Sequence, residues 1–162
     1  MMKSANSFSY KKLIYFLPLL VWMVVIFLFS AQVADESSAL SEGITRRVAK
    51  AVSQVVPKRI SIDVDVLETV IRKAAHFMEY MILGIFAFVA LHKSELFVGR
   101  QIAVAIVFCM LYAISDEVHQ AFVPGRACRV FDMLLDSVGA SAGVLGVNWV
   151  IKYHRFRKEK SE

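Results

Sequence analysis

Four apolar blocks, at about 13–29, 74–91, 102–118 and 133–151, carry most of the hydrophobicity of this chain. The first, Leu13–Phe29, runs for 17 residues without a charge and follows Lys3, Lys11 and Lys12. That flank suits a signal peptide or a first transmembrane helix. Length and aftermath favour the helix: Ala31 and Ala34 are three apart where a cleavage site wants small residues two apart, and further apolar spans follow. Pro18 stands in the first turns, where a missing amide hydrogen bond costs least. The third block is short. Its thirteen apolar residues, Ile102–Ile114, cover about 20 Å at 1.5 Å per residue against a hydrocarbon core of ~30 Å. Its helix is therefore expected to continue into Ser115, Asp116 and Glu117, carrying charge into the membrane.

The longest polar segment lies between the first two blocks, from Ser30 to Arg72. Within it Leu40, Ile44, Val48, Ala51, Val52, Val55 and Val56 recur at helical spacing as far as Pro57, with Arg46, Arg47 and Lys50 interspersed. This reads as an amphipathic helix lying on the membrane interface or capping the bundle. Ile60, Ile62, Val64 and Val66 then alternate with Ser61, Asp63 and Asp65, an extended pattern too short to build a sheet. Asp65, with Glu68 three residues on, gives an N-cap signal that starts the second membrane helix before its apolar core.

Composition agrees with lipid as the solvent. Hydrophobic residues make up 57% of 162, above the ~45–50% of soluble domains, and so short a soluble chain has too little interior for them. The net charge of +5 comes from short runs beside apolar blocks, not from a basic stripe interleaved with aromatics, so no nucleic-acid partner is expected. Cys109 and Cys128 have no metal-finger spacing, and no disulfide framework is expected. Ten Lys and Arg fall on the side of the two termini and nine on the other. The basic N-terminus and the Lys152, Arg155, Arg157, Lys158 and Lys160 tail abut their spans, so the positive-inside rule places both ends in the cytoplasm.

Antiparallel neighbours bring the start of span two, the end of span three and the start of span four to one membrane face. At 100° per residue, Arg72, Lys73, His76, Glu79 and Tyr80 share one side of span two; Tyr112, Asp116, His119 and Gln120 share one side of span three. Asp132, Asp136, Gly139, Gly143 and Gly146 share a side of span four, so the acidic face is also the small-residue face that admits another helix closely. The glycines read as helix packing rather than a phosphate cradle, since no strand precedes them. Carboxylates in lipid need partners. Asp116, Glu117, Asp132 and Asp136 are expected to meet Arg72, Lys73, His76, Arg126 or Arg129 in a polar pocket, or to serve only as a network locking the helices. His76 and Glu79 at i, i+3 match half of a diiron ligand set; the pair occurs once, and neither a metal nor another cofactor is expected.

These residues resemble the VanZ-like family. The likeness runs through Lys73, His76, Tyr80 and Gly84 in KAAHFMEYMILG, through Asp116, Glu117, Gln120, Phe122, Pro124, Gly125 and Arg126 in SDEVHQAFVPGR, and through Asp132, Gly139 and Gly143 in DMLLDSVGASAG. FSAQ at the end of span one also fits, and the likeness covers about Ser30 to Gly146. Asp136 departs from it, standing where the family commonly has asparagine. The resemblance implies a helical membrane fold and a link to the cell envelope; the family's founding member is an accessory protein of glycopeptide-resistance clusters, associated with low-level teicoplanin resistance. It supplies no established reaction.

The expected architecture is therefore an all-α integral membrane protein: a basic N-terminus (1–12), a VanZ-like transmembrane domain (13–151) and a basic tail (152–162). The domain is a four-helix bundle with the additional interfacial helix between spans one and two. It is expected to be multi-pass in the cytoplasmic membrane with its polar pocket outward, its partners membrane lipid and a lipid-linked envelope component. Three readings of function stay open. The chain acts on or shields an envelope component; or it is a membrane-embedded enzyme on a phosphate-bearing lipid-linked substrate; or it is a non-catalytic scaffold. For the enzyme, His76 would be the general acid/base with Asp116 and Glu117 orienting it. Lys73, Tyr80, Gln120, Arg126, Asp132 and Asp136 are the candidates for substrate or anion contacts. Ser115 has no elbow or triad context for a nucleophile.

Overall fold

A computed structural model describes residues 10–32, Gly43 and 63–161 of the chain. A 3₁₀ segment, Tyr10–Phe16, leads into α1 (Leu17–Ser30), followed by α2 (Val64–Ser94), α3 (Gln101–Gln120) and α4 (Val130–Glu159). Lys12–Ser30, which joins the 3₁₀ segment to α1, and each of α2, α3 and α4 are long and apolar enough to cross a membrane, and no strand occurs among the described residues. The amphipathic helix expected around 40–56 lies outside those residues.

Pro18 occupies the first turn of α1, where its missing N–H leaves no intrahelical bond unmade. The 20 residues of α3 span ~30 Å, and the helix continues through Asp116 and Glu117 as its short apolar run requires. The other two are longer than their apolar blocks. α2 starts at Val64, and its cap is Asp63 rather than Asp65: the Asp63 carboxylate accepts the backbone N–H of Asp65 at 3.0 Å and of Val66 at 3.4 Å. Asp63 has the extended backbone of an N-cap residue while Asp65 is already helical, which is why the spacing pointed two residues too far. α4 runs on through the basic stretch to Glu159, so residues 152–159 of the basic tail are helical.

The closest helix pair is α2 with α4, and glycine makes it so. A Cβ on Gly84 would collide with the backbone carbonyl of Ala140, one on Gly139 with that of Phe77, and one on Gly143 with that of Met81. Main chain thus lies against main chain, the packing that small residues permit in lipid, where dispersion replaces the hydrophobic effect as the driving force. Gly146 takes no part: nothing lies within 4 Å of where its Cβ would be. Gly146, the third glycine of the α4 stripe, is exposed.

α1 lies against this core more loosely. Trp22 donates its indole N–H to the Glu79 carbonyl at 2.9 Å and Tyr112 its hydroxyl to the Met23 carbonyl at 2.7 Å, while Leu20, Val24 and Leu28 are exposed. In water that face would be a liability; in lipid it is the solvated one. At the end of the bundle shared by the two termini, Lys12 pairs with Glu95 at 2.7 Å. That contact holds the Glu95 carboxyl below its ordinary value.

Candidate functional site

At the opposite end the start of α2, the end of α3, the 121–129 loop and the start of α4 enclose a cavity of about 110 Å³. At the ~10–15 Å³ that one water needs on this measure, it holds several waters or one compact polar group. The loop is shaped by a turn at Val123–Arg126: Arg126 N–H bonds the Val123 carbonyl at 3.1 Å, and Gly125 takes φ 78°. Pro then Gly at the two central positions is the sequence a type II turn demands. The turn puts Arg126 on the cavity wall, with a long contact of 3.5 Å from its Nη2 to the Phe29 carbonyl at the end of α1.

Cations dominate the lining: Arg72, Lys73, Arg126 and Arg129, with His76, face one carboxylate, Asp132. Lys73 is held from two sides, by Asp132 at 2.9 Å and by the Phe131 ring, whose centroid lies 4.2 Å from its ammonium. Arg126 is pressed below the usual arginine range by its burial, partly countered by Asp116, with Arg72 pressing further; from so high a starting value it stays charged. His76 Nδ1 lies 3.6 Å from Glu79 Oε2, one turn along the same helix. Among the described residues no third His, Cys, Asp or Glu joins that pair as a metal-ligand group.

Of the expected site residues, Lys73, His76, Gln120, Arg126 and Asp132 line the cavity. Tyr80, Asp116, Glu117 and Asp136 are buried in the bundle instead. The expected pairing of every carboxylate with a cation does not occur. Asp132 takes Lys73, but Asp116 Oδ2 takes the Gln120 amide at 3.1 Å, and Asp136 Oδ1 has no hydrogen-bond partner. Glu117 accepts the backbone N–H of Arg129, a bond to main chain that no count of side-chain charges anticipates. His76 has Glu79 at 3.6 Å on its own helix, and Asp116 and Asp132 act on its ring as well. Arg72 and Arg129 were expected as counter-charges, and both also stand in the cavity wall; their adjacency to Lys73 and to the start of α4 was the available signal.

The pattern of the VanZ/LLP1 family matches residues 15–151, from α1 to the body of α4. The chain belongs to the VanZ/LLP1 family. Comparison with curated proteins and with solved structures returned no match. The match takes in all four helices of this VanZ/LLP1 protein, so the cavity and the buried carboxylates under it lie wholly within the family domain. Its first helix belongs to the domain too, beyond the Ser30 limit of the motif resemblance.

Proposed function

We propose that this VanZ/LLP1 protein lies in the cytoplasmic membrane with its cavity at the outer face, and there binds and shields a phosphate-bearing, lipid-linked component of the envelope. The observation that carries this reading is the excess of positive charge in the cavity: among the described residues, four Lys and Arg against one carboxylate, and that carboxylate already engaged with Lys73. Guanidinium groups meet phosphate through paired N–H donors, and a lipid phosphate is the anion most abundant at headgroup depth. Occupancy of a lipid-linked wall component would lower glycopeptide access to it, which connects the site to teicoplanin.

A catalytic version of the same site is supported by His76, which faces the cavity with the Glu79 carboxylate 3.6 Å from its Nδ1. Among the described residues no nucleophile supports it: the exposed Ser115 donates its hydroxyl to the Tyr112 carbonyl at 2.8 Å. Binding without turnover is therefore the reading we adopt.

The test is titration of the purified protein in lipid nanodiscs with a short-chain prenyl monophosphate and with the corresponding uncharged alcohol. The monophosphate is expected to bind at least about tenfold more tightly, and Arg126→Lys to lose about tenfold, near the low end for one charged hydrogen bond of a paired set. Unchanged affinity in Arg126→Lys would leave Arg126 a tie to the end of α1. Orientation has its own test. Exposed Cys128 lies in the cavity-side loop and Cys109 is buried, so an impermeant maleimide should label Cys128, and not Cys109, on intact cells. Labelling of Cys128 only after lysis would turn the cavity to the cytoplasm.

A further inference from the structure

Behind the cavity, three helices each contribute a buried oxygen that lacks a hydrogen bond of full geometry: the Tyr80 hydroxyl from α2, Asp116 Oδ1 from α3 and Asp136 Oδ1 from α4. Their residues are 0%, 5% and 2% exposed, so bulk water does not serve them. Tyr80 is turned toward the carboxyl pair: Asp116 lies within reach of its hydroxyl and Asp136 acts on it as well.

The charged surroundings of the pair are lopsided. Asp136 is faced by Glu79 and Tyr80 from α2, by Asp116 and Glu117 from α3 and by Asp132 from its own helix. Every ionisable group in that set is acidic. Asp116 is faced by His76, Glu79 and Tyr80 from α2, by Tyr112 and Glu117 from its own helix, by Asp136 from α4 and by Arg126 from the loop. Among the described residues Arg126 acts on Asp116, while Asp136 Oδ1 has no hydrogen-bond partner. A buried carboxylate set among acids and without a partner is costly to keep ionised; the inexpensive remedy is to retain a proton.

We propose that the buried Asp136 carboxyl holds a proton at neutral pH, making with Tyr80 and Asp116 a proton-binding site behind the cavity wall. One proton repairs all three oxygens. A protonated Asp136 becomes a donor as well as an acceptor, so its O–H and the Tyr80 O–H can both be given to acceptors within the cluster. The Oδ2 of Asp116 takes the Gln120 amide. Gln120 also lines the cavity, so Asp116 and Gln120 stand between the held proton and whatever enters there. The proton site stands without the phosphate reading of the cavity.

Infrared spectroscopy of the purified full-length protein tests it directly, because a protonated carboxyl has a carbonyl stretch resolved from carboxylate and amide bands. At pH 7, without any ligand and in sodium-free buffer, wild type is expected to show that band. Asp136→Asn, isosteric with the neutral acid, should abolish it while keeping wild-type helix content and elution volume. Tyr80→Phe should shift the band without removing it, which keeps the assignment testable if Asp136→Asn fails to fold. Absence of the band in wild type overturns the proposal. So does a band that survives unshifted in Tyr80→Phe and undiminished in Asp136→Asn, since the proton would then sit on Glu79 or Glu117.

Discussion

Replacing Gly143 by leucine is expected to prevent the bundle from assembling, with folded yield in detergent falling to a small fraction of wild type. The Cβ alone would collide with the Met81 carbonyl and crowd the Ile85 amide nitrogen. Neither is a side-chain tip that can rotate away; both belong to the main chain of α2, so the whole helix must retreat. Retreat would also loosen Gly139 against Phe77 and Ala140 against Gly84, which share the same seam. Overpacking a core side chain costs about 1–3 kcal/mol and occasionally more; an obstacle between two backbones belongs at or beyond the upper end. Even Gly143→Ala should lower the melting temperature measurably. Two controls separate this from a general intolerance of change. Gly146→Leu meets nothing within 4 Å, and Leu145→Ala trims a side chain 51% exposed; both should melt close to wild type. Equal melting temperatures for Gly143→Leu and Leu145→Ala would remove the glycine seam as the basis of the α2–α4 contact.

Glu117→Ala is the second large expected loss. Glu117 is 2% exposed and its carboxylate accepts the backbone N–H of Arg129, the N-cap residue of α4, which has no capping bond from its own side chain. A side chain of α3 thereby fastens the entry to α4, and negative charge near a helix N-terminus is favourable by a further ~0.3–1 kcal/mol. Removing it leaves a part-buried N–H unpaired at a cost of about 1–3 kcal/mol and unfastens the loop that carries Arg126. Glu117→Gln retains an oxygen acceptor and should keep most of the stability. The readouts are melting temperature and the rate of proteolysis between residues 121 and 129. An alanine variant as resistant as the glutamine variant would show that Glu117 does not hold that loop.

Much of this protein follows from one-dimensional pattern. Apolar runs of bilayer length can satisfy their backbone in lipid only as helices, so the number of spans and their alternating direction were legible without coordinates. Alternation then brings Lys73, His76, Asp116, Gln120, Arg126 and Asp132 to one end of the bundle, because helix direction alone decides which ends are neighbours. The Pro124–Gly125 turn was equally legible, since few backbone shapes accept that pair. Pairing was not. Periodicity assigns Asp116, Glu117, Asp132 and Asp136 to faces, but which one meets a cation depends on differences of one or two ångströms in helix rotation and depth. Those differences come from the contacts of Gly84, Gly139 and Gly143 with opposing backbone. They leave Lys73 to Asp132, Glu117 to the Arg129 amide and Asp136 without a partner. That Gly146 stands outside the α2–α4 seam is invisible in a stripe of glycines, because spacing is a property of one helix and contact is a property of two.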